Sequence, residues 1–164
     1  MNIKDLELLQ TRLTKKKICV MGIGNFDRAD DYAGVAVAEQ LEKTEFPKNI
    51  TIINAGPVPE AFTSVIKRFK PKLLIIIDAT DMKEEVGSIR VFTENNIKTV
   101  PMITPHNTPM TMFVKYLNHF LDNLETVFIG IQPASLRYGE KMSNQVKESV
   151  AYLSGFLEEQ LLAV

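Results

Sequence analysis

Leu73-Leu74-Ile75-Ile76-Ile77-Asp78 is the stretch on which the fold turns. A strand with one face in water alternates apolar and polar residues, whereas one covered on both faces does not. The unbroken aliphatic run therefore predicts a central strand in a sheet sandwiched by helices, with Asp78 at its carboxyl end. Working outward, Lys17 to Ile23 is a second compact apolar run, and Ile50 to Asn54 is a strand rich in β-branched residues. Gly87 to Thr93 alternates, with Ile89 and Val91 set against Arg90 and Phe92, and reads as an edge strand. Val127 to Ile131 is the last strand.

Helical spacing fills the intervals. Asp30 to Lys43 places Ala33, Val37 and Leu41 on one face. After the turn Gly56-Pro57-Val58-Pro59, a helix opened by Pro59-Glu60 turns Phe62, Val65, Ile66 and Phe69 inward. Helix 110–123 buries Phe113, Leu117, Phe120 and Leu121, and Ser143 to Leu162 carries Val146, Val150, Leu153 and Leu157. An amphipathic helix over residues 3–14 (Ile3, Leu6, Leu9, Leu13) packs onto the rest. Strands alternating with helices predict an open α/β sheet with helices on both faces. In such sheets ligands bind in the crevice beyond the carboxyl ends of the strands.

The 164 residues, 45% hydrophobic, suit one ordinary core, so a single domain spanning 1–164 is expected. A formal net charge of −1 gives no electrostatic case for nucleic acid or an anionic membrane as partner. The basic run Lys15-Lys16-Lys17 reads as a solvated approach to the first strand. Cys19 is the only cysteine. It excludes an intramolecular disulfide and a thiolate metal cluster, and its apolar neighbours predict a buried, inert thiol. The first residues lack the pattern of a signal peptide, and no apolar run approaches the roughly 20 residues that span a bilayer. A cytoplasmic protein is the expectation.

Three residues at the ends of predicted elements could carry chemistry: Asp31, Asp78 and His106. Two carboxylates and an imidazole make a ligand set for a borderline divalent metal. Asp30-Asp31 opens a helix, where one aspartate serves as a cap. Two in succession cannot both do so, which leaves Asp31 to face the crevice; alternatively both complement the helix dipole. Asp78 sits at the rim of the least polar segment, where a carboxylate needs a cation or donors. The alternative for it is acceptance from N–H groups of the Ala79-Thr80-Asp81 turn. His106 lies in Thr104-Pro105-His106-Asn107-Thr108-Pro109, whose two prolines stiffen the loop. A lone histidine is more often a surface residue, and His119, opposite the apolar stripe of its helix, reads as exposed. Gly22-Ile23-Gly24 has Asp27 where a dinucleotide loop needs its third glycine, and that anion would repel pyrophosphate. No His-Glu-x-x-His helix, phosphate loop or Gly-x-Ser-x-Gly elbow is present.

Taken in order, Gly22-Ile23-Gly24-Asn25 with Asp30-Asp31, Ile77-Asp78-Ala79-Thr80-Asp81, Thr104 to Pro109, and Gly130-Ile131-Gln132-Pro133 resemble the [NiFe]-hydrogenase maturation endopeptidases. The resemblance runs from about Lys17 to the last helix, and its motifs look most like the branch that processes hydrogenase 3. It implies a three-layer α/β/α fold with a mostly parallel five-stranded sheet carrying one antiparallel strand, a role that suits 87–93. It implies that Asp31, Asp78 and His106 are both metal ligands and catalytic residues. The implied reaction removes the C-terminal extension of a hydrogenase large-subunit precursor after nickel insertion. Nickel would come with the substrate, with no tightly bound resident metal, and the protein would be a monomer. The chain departs from the family pattern at Tyr32, where glycine is usual, and at Asn54, where an aspartate is common. A hydrolase with its own zinc and a non-catalytic nickel-checking chaperone are the rival expectations.

Overall fold

The computed structural model describes residues 1–14, 17–94 and 110–164. Its elements in chain order are α1 (Ile3–Arg12), β1 (Ile18–Ile23), α2 (Ala33–Leu41), β2 (Ile50–Gly56), α3 (Thr63–Phe69), β3 (Leu73–Ala79), β4 (Ile89–Thr93), α4 (Met110–Phe120), β5 (Glu125–Ile131) and α5 (Asn144–Leu162). The five strands lie in the order β2-β1-β3-β5-β4, with β1, β2, β3 and β5 parallel and β4 antiparallel to β5. The aliphatic run 73–77 is the central strand, as its pattern predicts.

The sheet separates two apolar cores, and β3 feeds both. Leu73, Ile75 and Ile77 join the cluster beneath α1, α2 and α5, while Leu74 and Ile76 join the cluster beneath α3 and α4. Strand β1 splits in the same way, with Ile18 and Val20 on one side and Cys19, Met21 and Ile23 on the other. The period-two geometry of a strand turns an uninterrupted apolar run into two buried faces. This arrangement is the three-layer α/β/α sandwich.

β4 occupies the edge, where its outward N–H groups would otherwise invite another strand. Asp5 of α1 covers one of them, accepting a 3.3 Å hydrogen bond from the Val91 N–H and pairing with Arg90 Nε at 3.1 Å. The N-terminal helix thus occupies this edge at Arg90 and Val91.

Several element-level expectations need correction. The helix expected over 30–43 begins as a tight 3-10 turn, Ala29–Tyr32, and becomes α-helical only at Ala33. Val65, expected inward, is 43% exposed. A 3-10 turn at Pro59–Phe62 precedes α3, and within α3 only Ile66 is buried, with Val65 beside it on the outer flank. Phe120, expected inward, is 51% exposed, whereas Leu121, just past the end of α4, is buried as expected. Phe120 flanks the Phe113–Leu117–Leu121 stripe, lying under Lys67 Nζ (4.2 Å to the ring centroid) and beside Tyr116. His119 is exposed, as expected. Lys15, Lys16 and the segment 95–109 with His106 lie outside the described residues. No helix among those described is long and apolar enough to cross a membrane.

Candidate active site at the carboxyl end of the sheet

The four parallel strands end at one edge, so the loops leaving β1, β2, β3 and β5 share that edge. Asp78, 3% exposed, is the penultimate residue of β3 and lies in register with Gly130 of β5. Asp31, fully buried, belongs to the 29–32 turn that follows the β1 loop and packs against β3. The two carboxylates therefore reach the same end of the sheet from opposite sides of the sequence.

Close backbone packing sets this up. A Cβ on Gly34 would collide with the carbonyl oxygens of Ile77 and Ile23, so the first turn of α2 rests directly on the ends of β3 and β1. Ile77 is the residue before Asp78. At Gly24, φ is +151°, and a Cβ there would strike the Asp31 carbonyl. Only glycine permits the chain to fold back this tightly from β1 into the turn that holds Asp31. The Asp31 N–H is tied to the Arg28 carbonyl at 2.9 Å.

Asp30 does something the sequence did not disclose. It caps no helix of its own: neither the 29–32 turn nor α2 receives a side-chain cap. Its fully buried carboxylate reaches across to the loop after β5, accepting from Ala134 N (2.7 Å), Ser135 N (3.2 Å), Ser143 N (2.6 Å) and Ser143 Oγ (3.1 Å). Partners more than a hundred positions away leave no local trace. The doubled aspartate was the one available hint that a single cap could not account for both.

The loop after β3 is held by Gln132. Its Oε1 accepts from Met82 N at 2.7 Å and Glu84 N at 3.3 Å, while Nε2 donates to Asp81 Oδ1 at 3.2 Å. Hydrogen bonds from Lys83 and then Gln132 hold the Asp81 carboxyl down at about 2. The glutamine of Gly130-Ile131-Gln132-Pro133 is thus a clamp on the segment that follows Asp78. Thr80 N–H, a donor the alternative for Asp78 would use, goes to the Ile131 carbonyl at 2.9 Å.

Other flagged residues have local roles. Burial pushes the Cys19 thiol up to about 12, which keeps it from acting as a thiolate. Asn54 Oδ1 accepts from Gly56 N at 3.2 Å, across the register shift by which the end of β2 pairs with Gly22 and Ile23 of β1. Tyr32 donates its hydroxyl to Glu39, and burial together with that carboxylate pushes the phenol up to about 12. Its ring meets Phe26 edge-on with centroids 5.1 Å apart. Among the described residues no three His, Cys, Asp or Glu side chains form a group that could hold a metal ion. Of the three candidates, Asp31 and Asp78 share one sheet end, and His106 falls outside the described residues.

Residues 35–160 match the family model described as hydrogenase maturation protease. The hydrogenase 3 maturation protease of Escherichia coli K12 is 34% identical over 139 residues, 84% of this chain and 85% of that protein. A crystal structure of a [NiFe] hydrogenase maturation protease from Thermococcus kodakarensis superposes with a TM-score of 0.84 at 31% identity, covering 94% of this chain and 98% of the other. The solution structure of an endopeptidase from Escherichia coli gives a TM-score of 0.73 at 30% identity, covering 87% and 89%.

Proposed function

The chain belongs to the hydrogenase maturation proteases and is a peptide hydrolase; on that premise we propose that it cuts the C-terminal extension from a hydrogenase large-subunit precursor and uses Asp31, Asp78 and His106 to recognise nickel already bound in that precursor. The observation that carries this reading is the arrival of two buried carboxylates, Asp31 and Asp78, at the carboxyl end of one sheet. That edge is where open α/β sheets bind their ligands.

Carboxylate oxygen and imidazole nitrogen are adequate donors to nickel but weaker than thiolates. Such a set can test for an ion held by substrate cysteines without withdrawing it. A precursor lacking nickel forfeits those contacts, and selectivity follows from the difference between the two affinities. The substrate's own nickel, brought beside the scissile bond, can polarise its carbonyl or a water. Asp31 or Asp78 then serves as the base that takes the proton.

The test is cleavage of nickel-loaded and nickel-free precursor by purified protein, read by intact mass. The loaded form should lose the mass of its extension while the nickel-free form stays whole. Equal cleavage of both would remove the nickel check from this reading.

A further inference from the structure

Phe26 and Tyr138 are 72% and 70% exposed, more than any other large apolar side chain among the described residues. Both stand on loops at the carboxyl end of the sheet, Phe26 after β1 and Tyr138 after β5. An exposed aromatic ring by itself needs no explanation. Tyr138 differs because its mounting is rigid.

The Arg28 guanidinium carbon lies 4.8 Å from the Tyr138 ring centroid, and Arg28 Nε donates to the Leu136 carbonyl at 3.2 Å. The next residue, Gly139, has φ +79° and donates its N–H to the Asp27 carbonyl at 2.8 Å. Beneath them the Asp30 carboxylate takes its four hydrogen bonds from residues 134, 135 and 143, and the Asp30 N–H donates to the Ser135 carbonyl at 3.1 Å. Charge-assisted bonds of this kind are among the stronger ones a protein makes. Here a fully buried carboxylate holds a surface loop in place from within the Arg28–Asp31 turn, one residue before Asp31.

We propose that the loop over residues 133–143 is the arm that holds the substrate polypeptide beside the scissile bond, with Tyr138 as its contact ring and Asp30 as the positioning residue that fixes it. A preformed loop loses little freedom on binding, and a tyrosine offers a large, amphipathic contact with few rotamers to freeze. The occupant is the extended precursor segment flanking the cut, because an endopeptidase must lay a polypeptide across this edge. The inference rests on the placement of the reaction at Asp31 and Asp78, but its measurement is separable from theirs.

Steady-state kinetics on nickel-loaded precursor decide it. Tyr138→Ala should raise KM about tenfold with kcat little altered, the loss of roughly 1.4 kcal/mol of binding. Tyr138→Phe, which keeps the ring, should restore KM to within about twofold of wild type. Tyr152→Ala, at another exposed tyrosine on α5, should change neither constant. Asp30→Asn should raise KM in the same direction. Combining it with Tyr138→Ala should add little, because both act through one loop. An unchanged KM in Tyr138→Ala, or a fall confined to kcat, would overturn the proposal. A raised KM in Tyr138→Ala alongside normal cleavage by Asp31→Asn would support the arm and sink the assignment of Asp31.

Discussion

Asp31→Asn should lower processing of nickel-loaded precursor by on the order of 10²–10³-fold, the loss typical when one group aimed at the reacting centre is removed. Asparagine keeps the shape of the side chain and one carbonyl acceptor while deleting the charge that would face nickel. Asp31 is fully buried in a turn whose backbone is fixed independently by the Arg28 carbonyl. The secondary structure seen by circular dichroism should therefore stay native. Asp78→Asn and His106→Ala should lose activity in the same way. Intact mass of the precursor over time gives the rate. Wild-type rates in the asparagine variants would make these carboxylates structural, and a lost circular dichroism signal would do the same.

The second large effect concerns stability. Gly34→Ala places a methyl group where the carbonyl oxygens of Ile77 and Ile23 already lie. The obstacle is backbone on both sides, so no side chain can rotate to make room, and α2 must retreat from the sheet. Overpacking of this kind costs about 3 kcal/mol. For a chain of this size that corresponds to a fall in Tm of roughly 6–12 °C. Activity should fall further than stability, because the same helix start carries the Asp31 turn. Gly155, on α5, is the control: a Cβ there meets nothing within 4 Å. Gly155→Ala should stabilise by about 0.5–1 kcal/mol, since alanine gives up less backbone entropy in a helix. Thermal unfolding of the two variants side by side reads both effects. An unchanged Tm in Gly34→Ala would mean that the helix-to-sheet contact is not tight.

The layer order was legible because buried strands write their environment into adjacent residues. The run 73–77 announces two covered faces, and the structure divides those same residues between two cores. The alternation at 89–93 marks an edge, although Phe92 on its second face is buried and not solvated. What stayed hidden depends on contacts that have no local signature. A helix as short as α3, about two turns, has too few apolar residues for its pattern to fix which flank meets the sheet, and Val65 falls on the outer one. Phe120 and Leu121 are adjacent apolar residues at the end of α4, and only the folded structure shows that the second is buried while the first lies exposed under Lys67. Asp30 and Asp31 look alike in sequence, yet the first secures a distant loop while the second sits against β3. Gly34 reads as an ordinary weak helix residue until the carbonyls beneath it are seen. Asp78 was placed at a strand end by the aliphatic run alone.

The most direct measurement is the affinity of nickel-loaded and nickel-free precursor for the protein, by calorimetry, with wild type and with the Asp31→Asn, Asp78→Asn double variant. Wild type should bind the loaded form at least about tenfold more tightly, a difference of roughly 1.4 kcal/mol, and the double variant should bind the two forms alike. Equal affinities in wild type, or a preference that survives loss of both carboxylates, would contradict the account.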